Sequence, residues 1–273
     1  MSIKFRLTVM SFLQFFVWGA WLITIATYFF SNNMGKGGQF GTIMTLLALG
    51  SLIMPAIIGI IADKWVNAER LYGVLHILYG IVLFYVPQVK DPELLFYVML
   101  VAMIFYMPTI SLSNSIAYTI LNANKYNVVK VFPPIRVWGT IGFIVAMWIT
   151  NLSGSKANAN QFYIAAVIAV LLGLYSFTLP KCPPQKAISK DASIIEQLGL
   201  NAFKLFANYK LALFFVFSLF LGAALQLTNM YCDTFLDDFK KTPLYGPESF
   251  VVKYSTIIMS ISQISETLFI LAI

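Results

Sequence analysis

The sequence is short of charge. Asp, Glu, Lys and Arg together make 11% of its 273 residues, against about 25% in soluble domains. It has one histidine, His76, and two cysteines, Cys182 and Cys232. A single histidine builds no metal cluster, so His76 is expected to pack or cap within its helix. The cysteines have neither metal-ligand spacing nor a redox motif. There is no phosphate-binding glycine loop, and no Ser–His or Cys–His arrangement shares a polar site. Neither an enzyme nor a bound cofactor is expected. The N-terminal apolar run from Leu7 to Phe30 carries no small-residue cleavage site and reads as a retained helix.

Apolar residues fill the space that charge leaves. They make 59% of the chain, more than a soluble core absorbs, so lipid must be the solvent for most of it. A helix needs about 20 mainly apolar residues to cross the hydrocarbon. Runs of that kind fall near 6–30, 39–62, 71–89, 94–121, 131–152, 161–180, 209–236 and 250–273, separated by turn-rich breaks. Pro55 and Pro108 lie inside spans and read as kinks. The fold class is an all-α, multi-pass membrane protein. The net charge of +7 is scattered over short connections rather than gathered in a stripe, which argues against nucleic-acid binding.

Basic residues in short loops set orientation. With the N-terminus inside, the inner side collects eleven of the 18 lysines and arginines and the outer side six. The cysteines then lie at opposite ends of the membrane, too far apart for a disulfide. The longest connection, 181–208, becomes cytoplasmic. Within it, Ile194–Phe206 places Ile195, Leu198, Phe203 and Phe206 as the apolar face of a surface helix. The sequence closes inside an apolar run without a polar flank. The expectation is therefore a fragment: a six-helix bundle over 1–180, a central loop over 181–208, and the first two helices of a second bundle over 209–273.

Glu266 carries the most information. It lies in the closing run YSTIIMSISQISETLFILAI, with no basic residue nearer than Lys253. An ionised carboxylate in hydrocarbon is costly, so such groups usually face a polar cavity and often relay protons. Desolvation favours the neutral form of any carboxyl group, which opens it to reversible protonation. Gln263 stands three residues before it, on the same helical face. Gln226 and Asn229 repeat that spacing in LGAALQLTNMYCDTF, and their amides offer the donor and acceptor that complement a nucleobase edge. The bland alternative is interhelical hydrogen bonding. In FPPIRVWGTIGFIVAMW, Arg136, Thr140 and Phe143 form one stripe of cation, hydroxyl and aromatic ring, suited to a polar ligand with a flat ring. Snorkelling of Arg136 to the interface is equally compatible with its position. Pro133 and Pro134 are expected to set the helix start or a bend, and Gly139 and Gly142 a close helix contact. Asp233 reads as interfacial. Gln14 and Trp18 are further candidates for the cavity, or else packing residues.

Six helices, a long loop and more helices resemble the plan of the major facilitator superfamily, which pairs two six-helix bundles around a central site. Gly59-Ile60-Ile61-Ala62-Asp63-Lys64 resembles that superfamily's G-x-x-x-D-[RK] signature, although Asn67-Ala68-Glu69-Arg70 replaces the usual G-[RK]-[RK]. There Asp63 would cap a neighbouring helix and, with Lys64, gate the inner side. The stretches SFLQFFVWGAW, MPAIIGIIADKW, FPPIRVWGTIGFIVAMW, LGAALQLTNM and IIMSISQISETLFIL resemble the bacterial nucleoside:proton symporters of that superfamily. The resemblance implies a truncated major facilitator fold in the bacterial inner membrane, with nucleosides, protons and lipid as partners and a monomer as the working unit. It implies substrate binding by Arg136, Thr140, Phe143, Gln226, Asn229, Gln263 and Glu266, with Glu266 and Arg136 coupling the proton. It does not separate broad nucleoside carriers from narrower ones such as xanthosine carriers. A carrier for another hydroxylated solute such as a sugar, and a membrane receptor without transport, are the alternatives.

Overall fold

The computed structural model describes residues 2–184 and 200–272 and is all-helical across them. The helices are α1 (Ile3–Gly19), α2 (Ile25–Ser31), α3 (Gly37–Lys64), α4 (Ala68–Tyr85), α5 (Pro92–Ala123), α6 (Val128–Leu152) and α7 (Asn160–Ser176). After the longest connection come α8 (Tyr209–Asp237), α9 (Phe250–Lys253) and α10 (Ser255–Ala272). Among the described residues, five helices are long and apolar enough to cross a membrane: α3, α4, α5, α6 and α8. The chain is a multi-pass membrane protein.

The first expected span is not one helix. It breaks at residues 20–24 into α1 and α2, with no proline at the break. Polar groups on neighbouring helices make the break affordable. Thr150 Oγ1 of α6 donates to the freed carbonyl of Ala20 at 3.0 Å, and Thr24 Oγ1 donates to Gln161 Oε1 of α7 at 2.9 Å. Irregular backbone survives at membrane depth where the surrounding protein satisfies it in this way. The eighth span also divides, at Tyr254 between α9 and α10. Pro133 and Pro134 do not start α6. That helix begins at Val128, capped by Asn127 Oδ1 on the Lys130 amide at 3.2 Å, and runs through both prolines.

Helices α1 to α7 share two apolar cores. One gathers Phe15, Phe16, Trp21, Phe29, Phe40, Tyr79, Tyr106 and Phe162; the other gathers Leu7, Met10, Tyr72, Ile116, Ile120 and Leu172. Along α1, Gln14 stands where one core gives way to the other. Its side chain is fully buried and makes three hydrogen bonds. Gln14 Oε1 accepts from Tyr72 Oη at 2.5 Å and from His76 Nε2 at 2.9 Å, while Nε2 donates to Thr109 Oγ1 at 3.0 Å. An amide oxygen only accepts, so His76 carries its proton on Nε2. Tyr106 Oη adds a bond to the Gln14 carbonyl at 2.9 Å. This cross-link of α1, α4 and α5 fixes the height and rotation of α1. His76 thus packs and bonds within the bundle, as its isolation in sequence suggested.

Two close approaches set the remaining geometry. A β-carbon on Gly19 would meet the Phe143 carbonyl oxygen at 2.6 Å, and one on Gly142 would run into the Phe12 carbonyl oxygen. Backbone therefore lies against backbone between α1 and α6, as small residues allow in membrane helices.

At the end where α3 meets α4, a buried carboxylate ties down the segment after α7. Glu69 Oε2 accepts from the Cys182 amide at 2.8 Å, and Oε1 accepts from Asn67 Nδ2 at 3.1 Å. The Ala68 amide returns a bond to the Cys182 carbonyl at 3.0 Å. Glu69 lies in the first turn of α4, where the helix dipole favours negative charge. Burial, with the Glu69 charge adding to it, pushes the Cys182 thiol up to about 12. It is therefore a protonated, unreactive thiol at neutral pH. Cys182 and Cys232 are both free.

Of the expected surface helix over 194–206, residues 194–199 lie outside the described residues. From Leu200 to Ala207 the chain forms a 3₁₀ helix with Phe203 and Phe206 exposed.

Candidate functional site

The cavity is built on the contact between α1 and α6. Because Gly139 and Gly142 admit α1 so closely, Phe15 lies flat against Arg136, with the guanidinium carbon 3.9 Å from the ring centroid. A cation over a ring face is attracted by the ring quadrupole, the more so when desolvated. This settles the position of Arg136: it is half-buried and turned to the interior rather than snorkelling to an interface. One and two turns further along α6, Thr140 and Phe143 are buried on the same face. Trp18, one turn beyond Phe15 on α1, meets Phe143 edge-on at 6.4 Å between centroids and Tyr106 at 5.7 Å.

Helices α8 and α10 close the opposite wall. All seven residues expected at the site, Arg136, Thr140, Phe143, Gln226, Asn229, Gln263 and Glu266, line one cavity of about 160 Å³ with Phe15, Trp18, Leu22 and Leu225. Sites that enclose a drug-sized ligand run to about 300–1,000 Å³, so these walls cover part of such a ligand. One face is aromatic and the facing side carries amides and a carboxylate. Gln226 Nε2 and Trp18 Nε1 are buried donors with no partner among the described residues. Glu266 is exposed along α10, and Gln263 is buried beside it. Glu266 is near enough to Arg136 for their charges to interact, yet they form no ion pair within 4.0 Å. The arrangement offers a ring-stacking surface, amide groups for a polar edge, and a cation and a carboxylate across one space.

Three expectations change. Gln14 does not line this cavity; it is the buried hub between α1, α4 and α5, whereas Trp18 does line it. Asp233 is not interfacial but fully buried, because hydroxyls from two other helices converge on it. Asp63 is exposed on the last turn of α3 and caps no helix among the described residues; the buried carboxylate at this end is Glu69, in the first turn of α4, which holds the Cys182 amide. With Lys64 next to it, Asp63 borders a separate groove of about 300 Å³ that also touches Ser111, Ser115, Thr119 and Cys182. Among the described residues, no group of His, Cys, Asp and Glu is placed to hold a metal.

Phe15 and Leu22 were not singled out in the sequence. Their signal lies in the small residues opposite: glycines spaced three apart beside an intramembrane arginine mark where another helix comes close enough to cover it.

The fold has counterparts among known proteins. The nucleoside permease NupG of Escherichia coli (strain K12) is 46% identical over 273 residues, which is the whole of this chain and 65% of that protein. The xanthosine permease of the same organism is also 46% identical, with the same coverage. The chain thus spans about two thirds of the length of the curated relatives it matches. Crystal structures of the nucleoside transporter NupG superpose with TM-scores of 0.86 and, for a mutant form, 0.90, over all of this chain and 67% of theirs. The model of the nucleoside H+ symporter family matches residues 1–273, and the chain belongs to that family.

Proposed function

We propose that this chain forms the substrate-binding part of a carrier that takes nucleosides into a bacterial cell with protons, by alternating access. The observation that carries the reading is the convergence of seven polar and aromatic side chains from α6, α8 and α10 on one cavity. Phe143 and Trp18 pack the base, and Gln226 and Asn229 read its polar edge. Gln263 and Glu266 bond the ribose hydroxyls. Protonation of Glu266 weakens its pull on Arg136 and favours reorientation of the loaded carrier. The permeases named above, and their shared family, support nucleosides as the substrate class.

The working division is a first bundle over 1–180, a connection over 181–208 and the start of a second bundle over 209–273. The excess of basic residues on one side supports a cytoplasmic N-terminus in the inner membrane, with the protein acting as a monomer. Asp63 and Lys64 then stand at the inner face, where a gate would act.

The test of substrate class is competition. Binding of labelled uridine to the purified full-length protein should be displaced by other nucleosides and left unchanged by hexoses and pentoses. Displacement by sugars, with nucleosides inert, would move the assignment to a sugar carrier.

A further inference from the structure

Between the two groups of helices, α1–α7 and α8–α10, the hydrogen bonds of the described residues gather at one end. Among the described residues, every hydrogen bond between them involves Thr27, Trp148, Asn151 or Lys156 on one side and residues 233–260 on the other. No such bond reaches the first five turns of α8 or the half of α10 beyond Gln263. The Asp233 carboxylate is at the centre of the joined end.

Asp233 is fully buried, which for a carboxylate is tolerable only when its oxygens are occupied. Its Oδ2 accepts from Thr27 Oγ1 of α2 at 2.7 Å, and its Oδ1 accepts from Ser255 Oγ at 2.7 Å and Thr256 Oγ1 at 2.6 Å, both at the start of α10. Lys156, from the connection between α6 and α7, brings its ammonium within 3.8 Å of both Asp233 and Asp237. The same ammonium donates to Ser255 Oγ at 2.5 Å and to the Val252 carbonyl at 3.2 Å. One acid on α8 therefore holds a hydroxyl and a cation from the first group while anchoring α10 in its own. Around it, Asn151 Nδ2 reaches the Lys253 carbonyl at 3.1 Å, and Trp148 Nε1 reaches Ser260 Oγ at 2.8 Å.

We infer that Asp233, with Thr27 and Lys156, is the latch that keeps this end of the central cavity shut. Separating the two groups here strips Asp233 of Thr27 and Lys156 together. The carboxylate must then be hydrated, so opening admits water to a group that is fully buried when closed. Its hold is strong because charge-assisted hydrogen bonds exceed neutral ones. On the proposed orientation the latch is at the outer face, and its release is the step that exposes the cavity to the outside. That purpose rests on the transport reading; the latch itself does not.

The test measures a distance and needs no substrate. Spin labels at Ala157 and Leu244, exposed on the two sides of the latch, report their separation in the full-length protein after Cys182 and Cys232 are replaced. The unmodified latch should give one short population. Asp233→Ala should add a longer one, shifting the open-to-closed ratio by on the order of ten- to a hundredfold, the range for losing hydrogen bonds to a charged group. Thr27→Val keeps the side-chain shape and removes one bond, so it should shift the ratio in the same direction by less. It carries the test if Asp233→Ala does not fold. An unchanged distance in folded Thr27→Val and Asp233→Ala would overturn the latch. Absent uridine uptake with a shifted distance would instead overturn only the transport reading.

Discussion

Glu266→Gln abolishes gradient-driven accumulation while leaving exchange of nucleoside across the membrane in place. The substitution keeps the size and hydrogen-bonding reach of the side chain but takes away the group that binds and releases a proton. In the cavity, Glu266 and Gln263 of α10 stand across from Arg136 of α6. Arg136 is covered by Phe15 and, among the described residues, has no carboxylate within ion-pair distance. The carboxylate and the guanidinium are thus free to interact more or less strongly as the proton comes and goes. Coupling energies of about 1–3 kcal/mol correspond to about 5- to 150-fold in a linked equilibrium, enough that its loss leaves no accumulation above the external concentration. Uridine binding should weaken by far less, because the glutamine still reaches a ribose hydroxyl. Both quantities are measured in proteoliposomes: accumulation under an imposed proton gradient, and exchange without one. Accumulation at the original level in Glu266→Gln would remove this residue from the coupling mechanism.

The second large effect is structural. Gly142→Ala should destabilise the protein, because the added β-carbon drives into the backbone of Phe12 rather than into a flexible side chain. Overpacking of a close-packed interior costs about 1–3 kcal/mol, and each kcal/mol lowers Tm by about 2–4 °C for a domain of 150–250 residues. The shift also pushes α1 off α6, so Phe15 leaves Arg136 and the aromatic wall of the cavity loosens. Gly38→Ala is the control. Gly38 is exposed near the start of α3 with no atom within 4 Å of an added β-carbon, and alanine is the better helix former by about 0.8–1.0 kcal/mol. Thermal unfolding in detergent should therefore fall for Gly142→Ala and hold or rise for Gly38→Ala. Equal melting of the two variants would contradict the close contact of α1 and α6.

The residues that sequence could assign were those whose role follows from their own helix. Arg136, Thr140 and Phe143 share a face by spacing alone, as do Gln226 with Asn229 and Gln263 with Glu266. Polar groups in apolar runs need an interior partner or cavity, and all seven line the same one. What stayed hidden depends on contacts between helices. Asp233 looks interfacial because it stands near the end of an apolar run, and only Thr27, more than 200 positions away, and Ser255 and Thr256 on a later helix make its burial affordable. Gln14 looks like a cavity residue until Tyr72, His76 and Thr109 are seen to occupy its amide. The break between α1 and α2 has no glycine or proline to mark it within the turn, since the groups that stabilise it, Thr150 and Gln161, belong to α6 and α7. Glu69 had no motif to announce it: the signature pointed to Asp63, six residues earlier.

The most direct measurement is uptake of labelled uridine by the full-length protein in cells lacking their own nucleoside carriers, with and without a protonophore. Accumulation above the external concentration that collapses when the gradient is dissipated is the predicted result. Accumulation that survives the protonophore would contradict proton coupling, and no uptake under either condition would contradict nucleoside transport itself.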